Sequence, residues 1–251
     1  ELILKAQGKT LTNSPYEWCY DLHRQIKEWI QKGGDEIESG LGRQLLQSSH
    51  WPLLSLYPLQ LMIYPYYRLC IHLLEEDSLL LFACLKQGMM KSLEEGIDFR
   101  NGLHFTIEPL LNELNQSYEE LYTHAMPSER FCLNFLSLTA FRKKILDPNQ
   151  SDLCDPLPSP QRVFEYLLKE WNQFASEGQF GEELSFIIQD HIVIEHIDDL
   201  RVQTIFTGKY QKTKPVTFTG FTGSVTYRIL SPQQSVQQQI VALASFSQWS
   251  G

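Results

Sequence analysis

The sequence predicts an α+β fold in which one unit, with the element order β-α-β-β-α-β, occurs twice in tandem. Two observations lead to this prediction. Each half of the chain contains short apolar runs typical of strands and long stretches with helical periodicity, separated by turn residues. The 251 residues suffice for two domains of ordinary size, and 43% hydrophobic with 20% charged residues is typical of a globular protein.

In the first half, the opening run ELILKAQG predicts a strand. SPYEWCYDLHRQIKEWIQKG predicts a helix with Ser14 as its N-cap and Gly33 beyond its end, and a loop rich in Gly and Ser follows. LLSLYPLQLMIY and YRLCIHLLE, joined near Pro65, predict a hairpin. DSLLLFACLKQGMMKSLEEG predicts a second helix from Asp77 to Gly96, and LHFTIEPLL a last strand. This order is that of a ferredoxin-like (RRM-like) domain.

The second half repeats the order but is one strand short. RFCLNFLSLTAF predicts a strand, and HIVIEHI, LRVQTIFTG and residues 215–230 predict extended segments that form a hairpin. VQQQIVALASFSQW predicts a final helix. We expect domains 1–120 and 121–251, joined near residues 117–128. The helix predicted in PQRVFEYLLKEWNQFA carries apolar residues at helical spacing: Val163, Phe164, Leu167, Leu168 and Trp171.

Charge is distributed unevenly along the chain. The net charge is −9, which argues against a protein that is basic all over. Residues 201–251 contain no Asp or Glu, however, and carry a charge of +5, so residues 1–200 carry −14. This asymmetry indicates one basic working face on an acidic body, and a chance excess in a Ser/Thr/Gln-rich segment is the alternative. The five cations are Arg201, Lys209, Lys212, Lys214 and Arg228.

Cysteine usage and hydropathy indicate the compartment. Five widely spaced cysteines without a CxxC pair favour reduced thiols in a cytoplasmic protein, and no zinc-ligand spacing is present. No apolar run reaches the roughly 18 residues of a membrane helix. No signal peptide is visible. We therefore expect a cytoplasmic protein with no membrane contact, no metal and no cofactor.

The first predicted helix carries two different stripes. On a helical wheel, Leu22, Ile26 and neighbouring apolar residues fall on one side. A phenol, an imidazole, a guanidinium and an ammonium share another stripe, where they are able to hold a phosphate and transfer protons near it. The alternative is an ordinary solvated basic face. The four residues of this stripe are Tyr20, His23, Arg24 and Lys27.

The stretch TFTGFTGSVTYRIL is a second candidate. Gly220 and Gly223 interrupt its strand alternation, which indicates a bulge or the close approach of another backbone. Glycines leave backbone N–H groups open to phosphate oxygens, and Phe221 is placed to stack on a base. The neighbouring hairpin KYQKTK is basic. The alternative is a bulged edge strand with a cationic guard against aggregation.

Among the seven histidines, His50 is distinguished by its position in the loop segment GRQLLQSSHW, between the first helix and the second strand. A loop histidine titrates near neutral pH. The alternative is an exposed histidine without a role. His72 and His104 lie in strand patterns and are expected to be structural.

Four blocks of the sequence resemble the CRISPR-associated repeat-RNA endoribonucleases of the Cas6 type, especially those of cyanobacterial character. The blocks are LNFLSLTAFR, LPSPQRVFEYLLKEWNQF, TGFTGSVTYRI and the helix ending in FSQWSG. The resemblance implies two tandem ferredoxin-like domains and metal-independent cleavage of CRISPR precursor RNA within its repeats. In that reaction a 2′-hydroxyl attacks the neighbouring phosphate, leaving a 2′,3′-cyclic phosphate and a 5′-hydroxyl. The implied partner is repeat RNA, often a stem-loop, together with other CRISPR effector subunits.

The resemblance also implies roles for individual residues. The catalytic histidine of the family commonly lies between the first helix and the second strand, where His50 is the only histidine here. Many relatives place it directly after a leucine, whereas Gln47 follows Leu46, so His23 is the alternative. Arg24, Lys27 and Tyr20 would stabilise the phosphorane. The implied RNA contacts are Gly220, Phe221, Thr222, Gly223, Ser224, Lys209, Lys212, Lys214, Arg228, Arg142 and Lys143.

Two further classes of protein stay open at this point. One is a catalytically inactive ferredoxin-like module that only binds CRISPR RNA. The other is a two-domain structural protein that has no role with RNA.

Overall fold

The computed structural model describes residues 2–7, 19–47, 54–56, 60–61, 66–69, 71–73, 79–99, 104–108, 116–143, 153–175, 177–210 and 214–250. The chain divides into two compact units. The first comprises Glu1–Asn115 with Trp249–Gly251, and the second comprises Gln116–Gln248. The roles that the sequence assigns to the two domains stay predictions.

The first unit contains the predicted elements and several short additions. Its strands and helices are β1 (Leu2–Gln7), α1 (Cys19–Ile37), α2 (Leu41–Gln47), β2 (Leu54–Leu56), β3 (Gln60–Leu61), β4 (Tyr66–Leu69), β5 (Ile71–Leu73), α3 (Leu79–Glu95), β6 (Ile97–Asp98) and β7 (His104–Glu108).

An antiparallel sheet in the order β3-β4-β1-β7-β6 forms the first unit's main layer. The first strand is central: Leu4 pairs with Tyr67 of β4 on one side and with Ile107 of β7 on the other. This is the strand order of a ferredoxin-like domain, with β6 added at an edge. The predicted hairpin is confirmed by the antiparallel pairing of β2 with β5 and of β3 with β4. The predicted cap and turn residues Ser14, Pro65 and Asp77 lie outside the described residues.

The end predicted for the first helix at Gly33 is wrong, because α1 continues to Ile37. Gly33 lies against the backbone of α3, where an added Cβ would collide with Cys84 and Gly88. Gly88 in turn lies against the carbonyl of Trp29. Glycine costs a helix interior about 1 kcal/mol relative to alanine. Here it remains in both helices because it lets their backbones touch. The predicted end of α3 is confirmed by Gly96, whose φ is +75°.

Part of the predicted Gly/Ser-rich loop is helical. Residues Leu41–Gln47 form α2, and Gly42 packs directly on the backbone of Gln31 in α1. The sequence pattern missed this helix because its seven residues are too few to display a period. The core of the first unit lies between these helices and the sheet, where Trp29 is 1% exposed and donates a hydrogen bond from Nε1 to Ser92 Oγ over 2.8 Å.

The second unit is also an α/β layer structure. Its elements are α4 (Tyr118–His124), β8 (Arg130–Thr139), β9 (Phe141–Lys143), β10 (Leu153–Asp155), α5 (Pro160–Phe174), α6 (Glu183–His191), β11 (Ile192–Tyr210), β12 (Lys214–Ile229) and α7 (Gln234–Ser250).

Antiparallel strands in the order β11-β12-β8 form the main sheet of the second unit. A ferredoxin-like sheet places its second, third and first strands in this order. Two helices were not predicted. One is α4, in the expected linker, where Ser117 and Glu120 form a reciprocal capping box. The other is α6, immediately before β11.

An aromatic core joins the sheet of the second unit to its helices. Phe164 and Trp171 of α5 are buried, as their spacing predicted, and Tyr227 of β12 packs edge-on against Phe164. The Tyr227 hydroxyl donates to the Pro158 carbonyl over 2.8 Å, and burial raises the pKa of this phenol. The helices therefore cover one face of the sheet. The residues that alternate with Tyr227 lie on the other face, which is the open sheet face.

We expect Gly88→Ala to lower the free energy of unfolding by about 1–3 kcal/mol, because the new methyl group would force the backbones of α1 and α3 apart. In an exposed helix the same change stabilises by roughly 0.5–1 kcal/mol. Chemical denaturation followed by circular dichroism measures the difference. Ala83→Gly, at an exposed position of the same helix, is the control and loses only the propensity difference. A more stable Gly88→Ala protein would contradict the close crossing.

Candidate functional site

The polar stripe of α1 is partly buried rather than fully solvated. His23, Arg24 and Lys27 are half-buried, whereas Leu22 and Ile26 on the opposite side are 2% and 1% exposed. Asp21, which the sequence pattern did not single out, is buried beside Arg24, with 3.5 Å between its Oδ1 and Arg24 Nη2. The stripe therefore combines an imidazole with two cations and one buried carboxylate.

The protonation of His23 is altered by its position. Burial, and secondarily the positive charge of Lys27 one turn away, lower the pKa of His23 from the ordinary 6.5. A lowered pKa keeps the imidazole neutral at neutral pH, the form that accepts a proton. Because the unfolded chain binds this proton more readily, folding stability falls as the pH drops below 6.5 toward the folded-state pKa.

Two other candidate active-site residues, Tyr20 and His50, lie partly or wholly outside the described part of the structure. Tyr20 lies in the first turn of α1, and only its backbone is described. His50 lies outside the described residues, beyond the end of α2 at Gln47. The assignment of catalysis to His50 or to His23 therefore stays a prediction.

We expect Lys27→Met to raise the pKa of His23 without restoring it to 6.5, because the larger cause, burial, remains. An NMR titration of the His23 ring protons measures this shift. Lys32→Met, at an exposed position of the same helix, removes the same charge and serves as the control. An unchanged or lower His23 pKa in the Lys27 variant would show that Lys27 does not act on the imidazole.

Phe221, predicted to stack on a base, is a core residue instead. It is 0% exposed, and its ring centroid lies 4.8 Å from that of Phe135 in an edge-on contact. A ring enclosed in this way presents no face to a nucleotide. Its neighbours Thr222 and Ser224 are partly exposed, and Ser224 Oγ donates to Asn134 Oδ1 of β8 over 2.6 Å.

The two glycines of this stretch are approached by the chain's own backbone. A Cβ at Gly220 would lie 2.6 Å from the carbonyl oxygen of Thr139 in β8. Gly223 has a φ of +138°, and a Cβ there would lie 2.9 Å from the carbonyl oxygen of Asp199 in β11. Both glycines are therefore needed for the pairing of β12 with its neighbours. An additional approach by RNA stays a prediction.

Irregular pairing surrounds Gly223 on both sides. In β11 the register shifts between Asp198 and Arg201, around Asp199 with its φ of +50°. On the other side, β8 advances four residues from Phe135 to Thr139 while β12 advances only two, between Gly223 and Phe221. Extra residues interrupt a hydrogen-bond ladder and bend the strand that carries them. The glycine-rich part of β12 is therefore a bent, irregular region of the sheet.

The basic hairpin predicted from KYQKTK extends beyond the three-stranded part of the sheet. The pairing of β12 with β8 covers positions from Phe221 to Arg228, whereas its pairing with β11 continues to Tyr210 and Lys214. Lys209 and Lys214 occupy this extension, and Lys212 lies outside the described residues. The result is a two-stranded arm with Lys209 and Lys214 toward its far end.

The remaining predicted cations lie on different strands. Arg142 and Lys143 are in β9, paired with Cys154 and Leu153 of β10, and their side chains are not described. Arg228 is near the end of β12, 44% exposed, and its Nη1 lies 4.0 Å from Glu195 Oε1. The fold therefore distributes the predicted RNA contacts over the arm, the small β9–β10 sheet and the open sheet face.

Sequence reasoning missed the polar residues that β8 contributes to the open face. Arg130, Cys132 and Asn134 pair with Arg228, Thr226 and Ser224 of β12, all on the side away from the helices. The alternation of RFCLNF, apolar at every second residue, was the signal that would have found them.

Within the part of the chain that the structure describes, no helix is long and apolar enough to cross a membrane. The described residues also place no group of three or more His, Cys, Asp or Glu side chains where it could hold a metal ion.

The first unit thus carries a half-buried stripe of His23, Arg24 and Lys27. The second carries a sheet face with polar residues and a two-stranded arm in which Lys209 and Lys214 lie. The model of the family "CRISPR-associated endoribonuclease Cas6" matches residues 133–251. The matched residues make up just under half of the chain. No curated protein sequence matches the chain.

Solved structures of Cas6 proteins are similar over the whole chain. A product complex of Cas6 TTHB231, a protein of Thermus thermophilus, is 20% identical with a TM-score of 0.74, covering 100% of this chain and 93% of that one. A substrate mimic complex of another Cas6, TTHA0078, is also 20% identical, with a TM-score of 0.66 and coverage of 100% and 91%. The predicted fold class of two tandem ferredoxin-like domains is confirmed by this likeness.

We expect Gly223→Ala to lower the free energy of unfolding by about 1–3 kcal/mol in the absence of RNA, because the substitution strains a positive φ and meets the β11 backbone. Thermal unfolding of the free protein measures this effect. Thr222→Ala, the adjacent partly exposed position, serves as the control. If the Gly223 variant has unchanged stability but reduced RNA affinity, the glycine serves the ligand rather than the sheet.

Proposed function

We propose that this chain is a Cas6-type endoribonuclease that cleaves CRISPR precursor RNA within its repeats to give mature guide RNAs. The family match over residues 133–251 carries this conclusion, since it includes β11, β12 with its glycine-rich stretch, and β8 from Leu133 onward. The whole-chain likeness to Cas6 structures supports the same fold for the first unit.

The reaction is an internal transesterification. The 2′-hydroxyl upstream of the scissile phosphate loses a proton and attacks phosphorus, and the 5′-oxygen leaves with a proton. The products are a 2′,3′-cyclic phosphate and a 5′-hydroxyl. In this proposal the chemistry needs no metal, because a histidine supplies the proton transfers and cations stabilise the charged phosphorane.

The first unit supplies the groups for this chemistry. His50 is proposed as general acid or base, with His23 as the alternative. Arg24 and Lys27 lie on the same partly buried stripe as His23, and a preorganised cation of this kind stabilises a transition state by a few kcal/mol. Tyr20, in the first turn of α1, is the fourth proposed member.

The second unit supplies contacts to the RNA. Lys209 and Lys214 of the arm are proposed to follow the phosphate backbone, as are Lys212, Arg142 and Lys143. A two-stranded arm with cations near its far end is suited to a stem-loop, because it tracks the backbone of a duplex. On the irregular part of β12, backbone groups between Gly220 and Ser224 are proposed as further contacts.

We propose that the chain is similar to the cyanobacterial members of this family, because its four sequence blocks resemble theirs. We also propose a cytoplasmic location, consistent with reduced cysteines, and association with other subunits of a CRISPR effector complex.

His50→Ala is expected to reduce single-turnover cleavage of a labelled repeat RNA at least about 100-fold in EDTA, with binding retained, because the proton transfers lose their catalyst. His124→Ala, at an exposed position of α4, is the matched control. His23→Ala is measured in parallel.

Undiminished cleavage by the His50 variant together with loss of activity in the His23 variant would transfer the catalytic role to His23. Wild-type protein that binds the repeat without producing a cyclic phosphate end would favour an inactive RNA-binding module. Cleavage that requires added magnesium would contradict the metal-independent mechanism.

A further inference from the structure

The open face of the sheet in the second unit carries a pair of arginines that share one carboxylate. Arg130 of β8 and Arg228 of β12 are directly opposite each other in the antiparallel register. Glu195 of β11 lies between their charges: its Oε1 is 2.7 Å from Arg130 Nη2 and 4.0 Å from Arg228 Nη1. Three neighbouring strands thus contribute one residue each to this cluster.

Glu195 reaches the arginines because of a bulge. Between Ile194 and His196 the strand β11 advances two residues while β12 advances one, so Glu195 is the extra residue. A bulge directs an additional side chain out of the regular alternation. The cluster is therefore produced by the irregular pairing of β11 and not by chance proximity of long side chains.

The exposure of the three side chains shows which of them is available to a ligand. Arg130 and Arg228 are 60% and 44% exposed, whereas Glu195 is 30% exposed. One carboxylate compensates one of two guanidinium charges, so the cluster keeps a net positive charge. Two guanidinium groups on adjacent strands present several parallel N–H donors, which match the oxygens of a phosphate.

The surroundings of the cluster favour a backbone phosphate over a base. The described aromatic residues of β8 and β12, among them Phe131, Phe135, Phe221 and Tyr227, belong to the side of the sheet that packs on the helices. On β8 and β12, the described positions beside the arginines on the open face are Thr226, Cys132, Ser224 and Asn134. On β11, Val193 pairs with Arg228 and His196 pairs with Thr226, and the His196 imidazole contacts Asp198 over 2.8 Å. Hydroxyl and amide groups bind ribose and phosphate, whereas base stacking needs an exposed ring.

We propose that Arg130 and Arg228 form a clamp for one phosphate of the bound RNA, and that Glu195 is the internal counter-ion which this phosphate displaces. The proposal rests on the proposed function and adds two residues, Arg130 and Glu195, to the RNA-binding surface. The clamp contributes affinity without reading sequence, because phosphates carry no sequence information. Glu195 sets the strength of the clamp by competing with RNA for the same donors.

The test is RNA binding in EDTA, with repeat RNA that carries a 2′-deoxy nucleotide at the cleavage site so that affinity is measured without turnover. Arg130→Ala is expected to weaken binding about tenfold. It should also reduce the slope of log affinity against log salt by about 0.7, the value for one lost contact to single-stranded RNA. The control is Lys169→Ala, which removes one charge from an exposed position on α5, on the helix-covered side.

Glu195→Gln is the second test variant, because it is expected to change RNA affinity in the opposite direction. Removing the competing carboxylate should tighten binding about threefold, a gain that misfolding cannot produce. Glu182→Gln, at an exposed position before α6, changes the net charge equally and is the control. A scrambled RNA of the same length should show the same relative effects for both variants.

The outcomes separate this proposal from the proposed function. If wild-type protein cleaves repeat RNA while Arg130→Ala binds like Lys169→Ala, the clamp is wrong and the endoribonuclease assignment stands. Equal or weaker binding by Glu195→Gln overturns the role of Glu195. If the wild-type protein neither binds nor cleaves the repeat, the proposed function itself fails.

Discussion

Direct contact between backbones at glycine is the constraint on which both units depend. In the first unit, Gly33 and Gly88 let α1 and α3 touch, so the two helices form one thin layer over the sheet. In the second unit, Gly220 and Gly223 let β12 accommodate irregular neighbours on both sides. Any side chain at these positions would occupy space that backbone atoms already fill. The helix that carries His23 and the strand that carries Arg228 are both positioned by such contacts.

These glycines also explain what the sequence could and could not predict. Periodicity located the long elements, because an amphipathic helix such as α5 and an alternating strand such as β8 repeat their pattern over ten or more residues. A glycine in a helical pattern, by contrast, has two interpretations. Gly96 ends its helix as predicted, whereas Gly33 continues it, and the difference is the presence of a second helix at Gly33. Only tertiary structure contains that information.

In the candidate site, too, some features follow from sequence patterns and others only from tertiary structure. The shared stripe of His23, Arg24 and Lys27 on α1 follows from helical spacing alone, and the structure adds that it is half-buried. The sequence placed Phe221 beside a base, but strand alternation cannot say which side of a sheet the helices cover. The neighbourhood of Arg130, Glu195 and Arg228 joins three strands through a bulge, and no local pattern in the chain indicates a bulge of this kind.

The irregular pairing of β11 also has a consequence for the solubility of the protein. Each of the three register shifts between β11 and β12 adds one residue to β11. Among the described strands, β11 is at one edge of this sheet. Exposed Ile197 and Val202 lie along this strand, a combination that in a flat edge would recruit strands from other molecules. Repeated bulges twist and break the row of backbone donors and acceptors, so another chain finds no continuous template. The distortion that shapes the open sheet face thereby also protects the protein against aggregation.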